Sequence, residues 1–145
     1  MKANNLMVGD WVMVNDIEHT HPLQVAEIFM KSGAYYATLY WDGMPDNVNP
    51  ETLTADVDKV LPIPLTTDIL EKNGFEDIGD DIYQLEEKPC WFWVDFYNHT
   101  YGCEYDTSTY EYEDDEHRLK LYGIPSVYEL QHALRLCGIE KEIEL

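Results

Sequence analysis

Several small groups of residues in this chain carry side chains able to do chemistry, and each chemistry sets its own requirement. His19 and His21 stand two apart, so on a strand they would share a face with metal-ligand potential. Pro22 argues for a loop there, and the sequence places no third ligand. Glu129 and His132 stand three apart, as in one half of a di-iron carboxylate site on a helix, but that chemistry requires a second copy and further glutamates. The acidic runs Asp77/Asp80/Asp81 and Glu113-Asp114-Asp115-Glu116-His117 offer oxygens to a hard cation. Calcium takes about six to eight oxygens from a preorganised loop, and neither run has the Asp-x-Asp-x-Asp-Gly spacing that supplies them. Cys90, Cys103 and Cys137 are odd in number and widely spaced, which fits buried thiols in a reducing compartment better than disulfides or a zinc site. His99 lies near Cys103, and Asp95 with Glu104 would suit paired carboxylates for glycoside hydrolysis. No Gly-x-Ser-x-Gly turn and no Gly-rich phosphate loop accompanies them. The expectation is a protein that is not an enzyme and uses no metal or cofactor; a hydrolase built on His19, His21 and acidic residues is the catalytic alternative.

The aromatic middle of the chain offers a different kind of site. Trp91, Trp93, Tyr97, Tyr101, Tyr105, Tyr110 and Tyr112 would form one ladder if their strands were antiparallel neighbours, with Asp114, Asp115 and Glu116 beside it. Aromatic rings next to carboxylates suit gripping a partner protein or stacking on sugars. The structural alternative is that cross-strand aromatic pairs stabilise the sheet, or that this face packs under a helix.

Charge narrows the partners. The 145 residues include 29 acids and 9 bases, a formal net charge of −20. Residues 1–65 hold 9 acids and 3 bases (−6), and residues 66–145 hold 20 acids and 6 bases (−14). Such a surface repels phosphate backbones and anionic membranes, so neither nucleic acid nor membrane is an expected partner. It attracts basic surfaces, including the nucleic-acid groove of another protein. No apolar run approaches the roughly 20 residues of a membrane span, and Met1-Lys2-Ala3-Asn4-Asn5 lacks the apolar core of a signal peptide.

The elements that must position these groups divide at Leu61-Pro62-Ile63-Pro64-Leu65-Thr66. The two prolines fix φ and push the residues before them into extended geometry. Before this seam the pattern predicts strands over 11–14, 24–30, 34–41, 47–54 and 57–61. Ala26, Ile28 and Met30 share a face of the second, and Tyr35, Ala37, Leu39 and Trp41 a face of the third. Lys31-Ser32-Gly33 and Asp42-Gly43 are turn signals. The first 62 residues therefore read as a small SH3-like barrel or an open meander.

Residues 63–145 read as a mixed unit. Thr66, Thr67 and Asp68 are helix N-caps and Asn73-Gly74 a stop, giving a helix over about 67–73 with Ile69 and Leu70 inward. Strands are predicted over 82–85, 90–97, 101–105, 109–112 and 118–122. In the second, Phe92, Val94 and Phe96 line one face and Trp91, Trp93 and Tyr97 the other. Ser126 and Glu129 form a capping box opening a helix over 126–137, with Val127, Leu130, Leu134 and Cys137 along one stripe and Gly138 ending it. Residues 139–145 alternate apolar and charged side chains and read as a terminal strand. The fold class is α+β, mainly β.

Three pieces carry a resemblance: Leu6-Met7-Val8-Gly9-Asp10-Trp11-Val12; Pro62-Ile63-Pro64-Leu65-Thr66 through Gly74-Phe75; and Val127-Tyr128-Glu129-Leu130-Gln131-His132-Ala133-Leu134 with Gly138. Together they resemble a family of small uncharacterised proteins of gut Bacteroides-type bacteria and their phages and mobile elements. The resemblance implies a cytoplasmic protein with a small β-barrel-like start and a helix near the end, and it brings no activity. The functional expectation is an acidic accessory protein that presents an acidic, aromatic surface to a basic protein partner, in one version by imitating nucleic-acid charge. A small-ligand or glycan-binding module using the aromatic sheet face is the alternative.

Overall fold

The computed structural model describes residues 5–15, 21–41, 52–87, 90–105 and 118–145, with only the main chain of Tyr105 and Arg118. The chain divides into two compact units, Met1–Pro64 and Leu65–Leu145.

In the first unit, short runs of β-branched and aromatic residues form strands β1 (Trp11–Val14), β2 (Leu23–Lys31), β3 (Ala34–Tyr40), β4 (Thr52–Asp56) and β5 (Val60–Pro62). They make one antiparallel sheet in the order β4-β3-β2-β1-β5. Ser32 and Gly33 join β2 to β3, and both have positive φ (53° and 82°). That backbone matches the right-handed twist of the flanking strands in a two-residue hairpin, and the glycine adopts it without steric cost. Leu6, Val12, Val14, Leu23, Val25, Ala37, Leu39, Ala55, Val57 and Val60 form the buried core.

Two sequence expectations for this unit change. Val25 faces Leu39 across the ladder but Glu27 faces Thr38, so Ala26 is an extra residue in a β-bulge. The bulge switches the inward parity of β2, so Leu23 and Val25 are buried while Ile28, three residues on, packs against the core. Ala26 is exposed, as are Met30 and Tyr35 toward the hairpin tip. The strand expected over 57–61 begins instead with a 3-10 turn, Val57–Lys59, because the Asp56 carboxylate accepts the Asp58 N–H at 3.0 Å. Pro62 then fits inside β5 because that strand is at the sheet edge, paired with β1 on one side. Residues 47–51 of the expected fourth strand lie outside the described residues.

The second unit contains α1 (Thr67–Lys72), β6 (Glu76–Asp77), β7 (Ile82–Glu87), β8 (Cys90–Asp95), β9 (Thr100–Tyr105), β10 (Arg118–Tyr122) and α2 (Val127–Leu136). Its strands form a second antiparallel sheet, ordered β10-β9-β8-β7-β6. The fold class is α+β and mainly β. Thr66 caps α1 by accepting the Ile69 N–H at 3.3 Å. At Ser126 both the N–H and the hydroxyl donate to Glu129 Oε2, each at 2.8 Å. The two helices end alike. The Phe75 N–H reaches back to the Leu70 carbonyl, and the Ile139 N–H to the Leu134 carbonyl. These six-residue closures put a buried apolar residue just past each helix, against its last turn.

Phe92, fully buried and edge-on to Phe75 at 6.4 Å between ring centroids, anchors this core. Its burial contributes about 2–3 kcal/mol. The strand expected over 90–97 stops at Asp95, where the chain turns. The strand expected over 139–145 does not form. That segment is irregular, and the Asn73 side chain bonds both the N–H and the carbonyl of Glu144 within it. The strand expected over 109–112 lies outside the described residues. Among the described residues, no helix is long and apolar enough to cross a membrane.

Candidate functional site

The second sheet has two unlike faces, set by the two-residue period of its strands. Tyr83, Leu85, Cys90, Phe92, Val94 and Cys103 point to one side and are buried. The alternate residues form the polar face, and the register arranges them in rows across the strands. One row runs Glu86, Trp91, Glu104; the next runs Gln84, Trp93, Gly102, Lys120; the third runs Ile82, Asp95, Thr100, Tyr122. Trp91 and Trp93 are half-buried, and Glu86, Lys120 and Tyr122 are exposed. An open concavity of about 320 Å³ lies on this face, lined by Trp93, Gln84, Asp95, Thr100, Glu104 and Lys120 together with Ile78 and Ile82. Lys120 Nζ sits 5.8 Å from the centre of the Tyr122 ring, an on-face cation–π contact.

The aromatic ladder is thus brought together only in part. Trp91 and Trp93 share the polar face as expected. Tyr97 is 78% exposed, but it stands in the turn after β8 rather than on the strand. Tyr101 pairs with Val94, so the register puts it on the face opposite the tryptophans, and of Tyr105 only the main chain, paired with Cys90, is described. The correction comes from where β9 begins: pairing starts at Asp95–Thr100, which gives the odd-numbered residues of β9 the parity of the core. Burial and the Glu129 carboxylate push the Tyr101 phenol above its ordinary pKa. Tyr110, Tyr112, Asp114, Asp115 and Glu116 lie outside the described residues.

Asp95 ends β8 as a turn staple. Its Oδ1 accepts the Asn98 N–H and its Oδ2 the Asn98 side-chain amide, both at 2.8 Å. Burial pushes the carboxyl up, but the Asn98 main-chain and side-chain donors, the Tyr97 N–H and the Lys120 charge outweigh it. The net pKa is below the ordinary value. A depressed folded pKa stabilises the fold at pH values above the unfolded value of about 3.9, and the contribution disappears as pH falls through the folded pKa. Asp95→Asn should therefore lower stability at pH 7, and its deficit against the parent should shrink on acidification below about pH 4. Chemical denaturation across that range measures it; a deficit that widens in acid would contradict the staple.

The other described candidates have structural occupations, and Glu113 and His117 lie outside the described residues. His19 lies outside the described residues, and His21 rests 4.7 Å from the Trp41 ring. Glu129 holds the start of α2, and His132 packs edge-on to Tyr128 at 5.5 Å. His99 takes a left-handed backbone (φ 52°) in the β8–β9 turn, where its carbonyl accepts the Gly123 N–H. Asp77 Oδ1 accepts the Gly79 N–H at 2.8 Å, so part of the first acidic run is a turn device.

Sequence reasoning did not foresee that all three cysteines meet. Cys90 and Cys103 lie diagonally on β8 and β9, Cys137 caps the end of α2, and the three buried thiols are neighbours in the core. Burial and these neighbours push Cys90 up to about 12 and raise Cys137 as well, so both stay protonated at neutral pH and are poor nucleophiles. Among the described residues, no group of three or more His, Cys, Asp or Glu side chains is arranged to hold a metal ion. The pairing of Trp91 with Glu86 and Glu104 also went unforeseen, because it depends on the register of β7 and β9 against β8. Comparison with protein-family models, with curated proteins and with solved structures finds no match.

Proposed function

We propose that this chain is a non-catalytic accessory protein of a bacterial mobile element or its host, presenting the Trp91–Trp93 face to a protein partner. The supporting observation is that two tryptophans stand side by side on the polar face of a sheet whose other side is the core. Large aromatic rings left half open are costly to keep in water and are the residues that dominate protein interfaces. The net charge of −20 selects a basic partner and accelerates the encounter. A nucleic-acid-binding enzyme is one such partner, its phosphate-binding groove occupied by carboxylates. The β4-β3-β2-β1-β5 order, with a 3-10 turn before the last strand, supports an SH3-like reading of the first unit.

The test is capture of basic proteins by the whole chain at rising salt, beside a Trp91→Ala/Trp93→Ala variant. Capture should weaken steeply with salt and be lost in the variant. Salt-insensitive capture, or equal capture by the variant, would remove the reading.

A second reading rests on the concavity at Trp93. An indole beside Gln84, Thr100, Glu104 and Lys120 combines a stacking platform with hydrogen-bonding groups, which suits a saccharide. A saturable, salt-insensitive change in tryptophan fluorescence with one member of a sugar panel would favour it.

A further inference from the structure

We propose that two copies of this chain associate through the outer edge of β2, with Glu27–Lys31 pairing antiparallel about Phe29 against the same residues of a second copy. The inference concerns the first unit and stands apart from the reading of the Trp91–Trp93 face. β1 pairs with β2 at Leu23 and Gln24, and the Gly9 and Asp10 main chain bonds Val25. Beyond the bulge at Ala26, among the described residues, β2 pairs with β3 alone. One side of its backbone there is open, which is the template to which a further strand adds.

The hairpin fixes which groups point outward. Its two-residue turn closes on Lys31 and Ala34. The alternation of antiparallel bonding then directs the backbone groups of Lys31, Phe29 and Glu27 toward β3 and those of Ile28 and Met30 away from it. Pairing about Phe29 sets Ile28 opposite the second copy's Met30, and Met30 opposite its Ile28, each as a bonded pair. The same register sets Glu27 opposite the second copy's Lys31, and Lys31 opposite its Glu27. Centring on Ile28 or on Met30 would keep the backbone bonding but lose both charge pairs.

The side chains needed for this are available. Glu27 and Lys31 are exposed, and among the described residues neither has an ion-pair partner. Met30 is 65% exposed and would gain the second copy's Ile28 as an apolar neighbour. Phe29, stacked on Tyr36 with ring centroids 5.8 Å apart, would face its own counterpart. Other strand edges resist such self-pairing. β5 carries Pro62, β6 is the acidic pair Glu76–Asp77, and β10 paired about its centre would oppose Lys120 to itself. The β2 edge instead holds opposite charges at mirror positions, the self-complementary pattern that a two-fold dimer requires. The net charge of −20 on each copy opposes association at long range, and salt screens it. So short a pairing makes a weak dimer, formed at high micromolar to millimolar protein.

Sedimentation velocity of the whole chain at rising protein concentration in physiological salt should show monomer giving way to dimer. Glu27→Lys and Lys31→Glu each turn both charge pairs into repulsions, and each should weaken association by about tenfold. Mixed in equal amounts, the two variants should recover it, because each supplies the charge that the other lacks. The exchange variant Glu27→Lys/Lys31→Glu should dimerise as the parent does. Circular dichroism checks that each variant is folded; all the substitutions are at exposed positions. A parent that stays monomeric at millimolar concentration overturns the proposal. So does a dimer that neither single reversal weakens, which would use another surface. A mixture of the folded single variants that associates no better than its components overturns it as well.

Discussion

Gly102→Ala should destabilise the second unit by about 3 kcal/mol and shift its denaturation midpoint accordingly. A Cβ at this position would lie 1.8 Å from the Leu119 carbonyl oxygen and 2.8 Å from the Leu119 carbonyl carbon. Both are main-chain atoms of β10, so no side-chain rotation relieves the clash, and β10 must move off β9. The effect is one of space alone, because the Gly102 backbone is not in the left-handed region. Moving β10 would also disturb the pairing of Lys120 with Gly102 and of Leu119 with Cys103, and so reach the core face. Measured stability within about 0.5 kcal/mol of the parent would show that β9 and β10 are not packed this closely. The substitution also tests the polar face, since Gly102 stands between Trp93 and Lys120 in the middle row.

The sequence made most elements of this fold legible because each carries a local signal. Thr66 and Asn73-Gly74 bracket α1, Ser126 with Glu129 opens α2, Ser32-Gly33 turns β2 into β3, and the alternation of residues 90–95 separates tryptophans from core residues. What stayed hidden depends on the partner strand rather than on the strand itself. A bulge at Ala26 leaves no trace in composition, yet it reverses the parity of half of β2. The face of Tyr101 follows from where the β8–β9 turn closes, and that was decided by Asp95 binding Asn98, three residues on. The candidate site was legible in the same proportion. Its tryptophans could be read from one strand, whereas the glutamates paired with Trp91 come from two others and needed the register. The meeting of Cys90, Cys103 and Cys137 likewise joins two strands and a helix end that sequence spacing does not relate.

Asn73 shows how far a local signal can understate a residue. As a helix stop it needs only a polar side chain beside a glycine, but its amide nitrogen donates to the Ile69 and Glu144 carbonyls, both at 2.7 Å. Its amide oxygen accepts the Glu144 N–H at 2.9 Å. One buried side chain thus finishes α1 and holds the C-terminal segment, where Ile139 and Ile143 are buried. Asn73→Asp keeps the size and the acceptor but replaces both donors with a second oxygen facing two carbonyls. The expected loss at pH 7 is about 3 kcal/mol, from two broken hydrogen bonds and a poorly solvated charge. The pH dependence gives the substitution a signature of its own. Facing carbonyl oxygens, the new carboxyl favours its protonated form in the folded state, so its folded pKa is raised above the unfolded value. The penalty is therefore full at pH values above that raised pKa and shrinks as pH falls through it, when the acid regains one donor. Comparing denaturation of variant and parent at pH 7 and pH 4 measures this. A penalty that is the same at both values would mean that the side chain at position 73 is open to water and the C-terminal segment is held by something else.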